Sequence, residues 1–127
     1  MLGYFDASDG NPKITLEISG TNNKTKQIVA LFDTGHSGSL SLPVIDLIEI
    51  GARLSNVGEV ILADGFKKTV LYFSVKVKID GKEKDVEASM IENYNSDEAI
   101  VGLELFAPYA ALIDFNKKIL KFIESHE

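Results

Sequence analysis

Ile28-Val29-Ala30-Leu31-Phe32-Asp33-Thr34-Gly35 runs five apolar residues straight into a carboxylate, a hydroxyl and a glycine. The apolar run reads as a strand, and the small residues after it, through His36-Ser37-Gly38-Ser39, suit a shaped loop of the kind that carries function. A carboxylate at the end of a buried strand is costly to hold as an ion, so Asp33 must be hydrogen-bonded, paired, protonated or placed in a cleft. Thr34 can both donate and accept, and Gly35 lets backbone amides approach the carboxylate without a side chain in the way.

On the N-terminal side, residues 13–18 alternate apolar and polar with period two, and the polar cluster from Gly20 to Lys26 separates them from the run above. This reads as a β-hairpin. Asn23-Lys24-Thr25 fits a glycosylation acceptor pattern and reads as a polar turn. On the C-terminal side, Pro43 opens a short helix in which Val44, Leu47 and Ile48 share a face, and Gly51 closes it. Strands resume from Glu59, with Asp64-Gly65 and Asp80-Gly81 as hairpin turns around the alternating stretch Thr69 to Ile79. Val86, Ala88 and Met90 then share one face of another strand. After a polar segment come Ala99-Ile100-Val101-Gly102, a short helix from Leu103 to Tyr109, and two last strands, Ala111 to Asp114 and Ile119 to Ile123. Short strands with close turn signals predict an all-β, barrel-like domain spanning residues 1–127, with one or two short helices.

The run into Asp33-Thr34-Gly35, together with Ile100-Val101-Gly102-Leu103-Glu104-Leu105 downstream, resembles the retropepsin-like aspartic proteases over about Ile14 to Phe122. The resemblance implies a closed β-barrel of the acid protease fold. It makes Asp33 the catalytic carboxylate, with Thr34 and Gly35 supporting it and Ile100, Val101 and Gly102 crossing beneath as the psi motif. Ala63, Asp64 and Gly65 fall where the family has its flap, the hairpin that closes over substrate. One Asp-Thr-Gly in a chain of this size implies a homodimer, in which two Asp33 carboxylates share one proton and activate a water against a peptide bond. Thr34 would reach across the two-fold axis, and the terminal strands, Ile119 to Ile123 with the N-terminal residues, would form the interface. The expected activity is that of an aspartic endopeptidase on an extended peptide or protein substrate, with no cofactor and no metal. The alternative is a non-catalytic peptide-binding or scaffolding module on the same dimeric fold.

His36 departs from the family, which usually has Ser, Thr or Ala after the triplet. An imidazole is bulkier and changes charge at about pH 6 to 7, so a ring facing the carboxylates would move the acidic limb of activity, and a ring facing elsewhere would only pack.

Composition excludes other classes. Thirteen basic against nineteen acidic residues give a net charge of −6, so nucleic acid is not an expected partner. The absence of cysteine removes disulfides, thiolate metal sites and cysteine nucleophiles. No window reaches the roughly 18 apolar residues of a membrane span, and the start of the chain lacks a signal-peptide pattern, so the expected location is cytoplasmic. Gly35-His36-Ser37 begins like a nucleophile elbow, but position 39 is Ser where that motif needs Gly. Glu92, Asp97 and Glu98 lack cation-ligand spacing and read as a solvated loop.

Overall fold

The computed structural model describes residues 3–92 and 98–124. Its strands, in chain order, are β1 (Tyr4–Phe5), β2 (Pro12–Ser19), β3 (Thr25–Phe32), β4 (Leu40–Pro43), β5 (Arg53–Ile61), β6 (Lys67–Ile79), β7 (Lys82–Ile91), β8 (Ala99–Val101), β9 (Tyr109–Asp114) and β10 (Ile119–Glu124). Helix α1 (Val44–Ile50) follows β4, and a single 3-10 turn covers Leu103–Phe106.

Eight strands form one sheet in the order β1-β2-β3-β8-β4-β7-β6-β5, and β2 also pairs with β6 through Glu17↔Lys78, Ile18↔Val77 and Ser19↔Lys76. That extra pairing closes β2, β3, β8, β4, β7 and β6 into a ring, the closed barrel expected from the sequence. Period-two alternation supplies its interior: Ile14, Leu16 and Ile18 of β2, Ala30 and Phe32 of β3, and Val75, Val77 and Ile79 of β6 are all buried. β3 and β8 run parallel, β4 runs antiparallel to β8 and parallel to β7, and every other pair is antiparallel.

The β9–β10 hairpin forms its own sheet and covers one side of this core. Phe122 stacks on Phe106 at 4.2 Å and meets Phe32 edge-on at 5.2 Å, while Phe106 meets Phe32 at 5.9 Å. Each buried ring contributes about 1.5–3 kcal/mol by area. The cluster therefore fixes Phe32, the residue that hands the chain to Asp33.

Helix α1 begins after Pro43 and ends at Gly51, whose φ of 64° is the left-handed conformation that glycine adopts without strain. Its buried face differs from the one expected. Leu47 and Ile50 are buried and Ile48 is exposed, because the helix docks through Asp46 as well: that carboxylate, 8% exposed, accepts from Lys26 Nζ of β3 at 2.6 Å. Glu49 shares the same ammonium at 2.7 Å.

Two further expectations change. The segment expected to be helical from Leu103 to Tyr109 makes only the 3-10 turn: Ala107 keeps helical φ −47° and ψ −37°, but Pro108 has no N–H to donate and the turn goes no further. The strand read from Glu59 begins earlier, at Arg53, because β5 is defined by pairing with β6 and not by an apolar face of its own.

Lys13, buried at the start of β2, holds Asp9 at 2.8 Å, Glu98 at 2.9 Å and Asp6 at 3.3 Å. Glu98 is thus an ion-pair partner that ties the entry of β8 to β2, not part of a solvated loop. Glu92 pairs with Lys68 at 3.4 Å, and Asp97 lies outside the described residues. The Asp9 carboxyl is held below the ordinary value of 3.8, first by Lys13 and then by the Asn11 amide; Asp6 is held below it first by the Ser8 amide and hydroxyl, then by Lys13. Depressed carboxyls stabilise the fold above their unfolded pKa, and that contribution disappears as pH falls through the folded values. Lys13→Met is therefore expected to lower the Tm at pH 7, with the gap to the parent protein narrowing below about pH 4. A gap of equal size at every pH in thermal melts would assign Lys13 a packing role only.

Candidate active site

β3 ends where its ladder runs out. The Asp33 amide makes one last bond, donating to Val101 O of β8 at 3.0 Å, and the chain then turns with His36 N–H donating to Asp33 O at 3.1 Å. Within that turn the Gly35 amide donates to Asp33 Oδ1 at 2.9 Å, so one carboxylate oxygen is fixed and the side chain is half-buried at the loop surface. Gly35 serves this approach: a Cβ there would stand 3.2 Å from Oδ1. Thr34 is exposed, and its hydroxyl takes no partner among the described residues.

β8 inserts between β3 and β4, which are consecutive in sequence, with Leu31↔Ile100 and Phe32↔Val101 on one side and Leu40↔Val101 and Ser41↔Ile100 on the other. Ile100 and Val101 thereby lie directly against the strand that carries Asp33. Gly102 crosses under the loop itself, its amide donating to Ser39 O at 3.0 Å while Leu103 N–H donates to His36 O at 3.0 Å. The crossing is tight enough that a Cβ on Gly102 would fall 2.1 Å from Gly38 O and 2.5 Å from His36 O.

His36 is half-buried, and its ring reaches toward β4 and Gly102. Its Nε2 lies 3.2 Å from Ser41 Oγ, and a Cβ on Gly38 would stand 3.3 Å from that nitrogen. Ser41 is buried and also meets Ser89 Oγ at 2.5 Å. The sequence signals this contact only weakly, through a serine set between Leu40 and Leu42.

Ala63, Asp64 and Gly65 form the tip of the β5–β6 hairpin. Gly65 N–H donates to Leu62 O at 2.9 Å, Leu62 N–H to Phe66 O at 2.8 Å, and Phe66 N–H to Asp64 Oδ1 at 3.0 Å. Gly65 has φ +85°, which explains glycine at that corner. Beside the tip, Ile61 and Phe66 are 75% and 71% exposed, so the hairpin holds large apolar side chains in water. Asp33 to Gly35 and Ile100 to Gly102 are brought together by backbone bonds, whereas the 63–65 tip belongs to a separate projecting element.

Among the described residues no group of three acidic or histidine side chains is arranged to hold a metal ion, and no helix is long and apolar enough to cross a membrane. A cavity of about 300 Å³ is lined in part by Ser19, Thr21, Lys76 and Glu87 and by no residue of the Asp33 loop.

Among solved structures, the chain is similar to the EIAV protease in complex with the inhibitor HBY-793, with a TM-score of 0.54 and 14% identity over 80% of this chain and 90% of that one. At that identity the likeness shows the fold alone, a closed β-barrel like that of the retroviral protease. No protein-family model matches the sequence, and no curated protein does.

Proposed function

We propose that this chain, acting as one domain over residues 1–127, is an aspartic endopeptidase that works as a homodimer. The observation that carries the reading is the placement of Asp33: a carboxylate with one oxygen pinned by Gly35 N–H, on a loop braced from beneath by Gly102, in a fold shared with a retroviral protease. Two such loops facing across a two-fold axis supply the paired carboxylates. One accepts a proton from water as it attacks the scissile carbonyl, and the other protonates the carbonyl oxygen. No cofactor or metal enters these steps.

The unpartnered Thr34 hydroxyl suits a contact across that axis. The interface falls on the terminal strands, where Gly3 N–H already donates to Leu120 O at 2.9 Å and Leu112, Ile119 and Ile123 are exposed beside it. The hairpin tip at Ala63, Asp64 and Gly65 closes over an extended peptide, which gains strand-like hydrogen bonds there and apolar cover from Ile61 and Phe66.

Incubating the protein with a diverse peptide pool across a range of pH, read by mass spectrometry against an Asp33→Asn blank, tests the activity. Asp33-dependent cleavage is expected. Binding without cleavage in the same pool would make the chain a peptide-binding or scaffolding module instead. The dimer is tested separately: specific activity is expected to rise with protein concentration until a two-chain species fills the sedimentation profile. Activity strictly proportional to enzyme, with only monomer sedimenting at micromolar concentration, would remove the two-chain site.

A further inference from the structure

We infer that His36, Ser41 and Ser89 form a hydrogen-bonded pin that sets the position of the Asp33 loop, which makes His36 and Ser41 positioning residues for the carboxylate; this rests on the aspartic-peptidase reading above. Three handles hold His36. Its amide donates to Asp33 O at 3.1 Å, its carbonyl accepts from Leu103 N–H at 3.0 Å, and its ring meets Ser41 at 3.2 Å. The first handle is the one that matters for chemistry, because any shift of His36 passes through it to Asp33 and to the Gly35 amide that fixes Oδ1.

The far end of the pin is anchored in the barrel. Ser41 and Ser89 are in register on the parallel strands β4 and β7, and Ser41 is also opposite Ile100 of β8. Ser89 stands opposite Tyr72 on β6, the return strand of the projecting hairpin. The ring has space only because of two glycines: a Cβ on Gly102 would stand 2.7 Å from Cδ2, and one on Gly38 would stand 3.3 Å from Nε2. A hydroxyl donates one hydrogen and accepts two, so Ser41 can serve His36 and Ser89 together. Without the ring, the serine pair remains satisfied and the barrel keeps its bonds. The loop alone loses an anchor, so the expected damage falls on catalysis and not on folding.

Kinetics on an Asp33-dependent peptide substrate test this. His36→Ala is expected to lower kcat about 10- to 100-fold with KM nearly unchanged, the scale of a loop displaced by up to an ångström. Ser41→Ala should do the same, and the double variant should lose no more than either, since both cut one connection. His36→Gln, whose amide reaches as far as Nε2, should restore kcat, and His36→Asn, one bond shorter, should not. Multiplicative losses, a Ser41→Ala enzyme at parent activity, or a Gln variant no better than Ala would overturn the pin. If the parent protein shows no Asp33-dependent cleavage, the peptidase reading fails by itself. Amide exchange then decides the pin: faster exchange at His36 and Leu103 in His36→Ala and Ser41→Ala but not in His36→Gln supports it, and unchanged exchange rejects it.

Discussion

Asp33→Asn is expected to lower peptidase activity by at least about 10²-fold and toward 10⁴-fold, the range for removing a general base. The substitution is nearly isosteric, and the amide oxygen can still accept from the Gly35 amide, so the bond that shapes the turn survives. What is lost is proton uptake. In the proposed dimer both chains would carry the change, so no carboxylate would remain at the site to take the proton from water. Thermal stability should hold or rise, since two carboxylates facing each other across an axis repel and two amides do not. Comparing kcat/KM and Tm for the two proteins checks both halves. Retention of more than about 1% of activity is too much for the loss of such a base and would demote Asp33 to a structural cap of its own turn.

What the sequence reveals and what it hides follow from how local each feature is. β2 alternates with period two from Ile14 to Ile18, because one of its faces is buried and the other is not. Pro43 and Gly51 mark α1 because a missing N–H and a left-handed φ are properties of single residues. Asp33 and Gly35 are legible for a similar reason, as a carboxylate and a glycine at the end of an apolar run, whereas Gly102 is picked out only through the resemblance to the retropepsin-like proteases. β4 offers no such signal: all four of its residues are buried, since it lies between β8 and β7, and both partners come from much later in the chain. β5 is hidden for the opposite reason, being largely exposed and held by β6 alone. The Lys13–Glu98 pair and the His36–Ser41–Ser89 chain join residues that only the closed ring brings together. His36 could be seen as a departure, but the direction of its ring is a property of the packed strands.

Gly102→Ala separates the two reasons a glycine can be needed. Its φ of −104° is open to any residue, so the backbone itself is not strained by a side chain. The obstacle is contact: the added methyl would lie 2.1 Å from Gly38 O and 2.5 Å from His36 O, both backbone atoms of the loop that carries Asp33. One of the two segments must move by nearly an ångström, and the bonds from Gly102 N–H to Ser39 O and from Leu103 N–H to His36 O move with it. Overpacking of this kind costs about 1–3 kcal/mol, and with backbone on both sides the upper part of that range is expected. Activity should fall further than stability, by about 10²-fold, because the displaced segment is the one that sets the carboxylate. Gly81→Ala, in the turn between β6 and β7, is the control: φ is +77° there and nothing lies within 4 Å, so it should cost only the strain of a left-handed residue, about 1–2 kcal/mol, with no loss in kcat. Denaturant unfolding and kcat measured on both variants read the difference. A Gly102→Ala protein with parent stability and parent kcat would mean that the crossing yields easily, and that the loop is not braced from beneath.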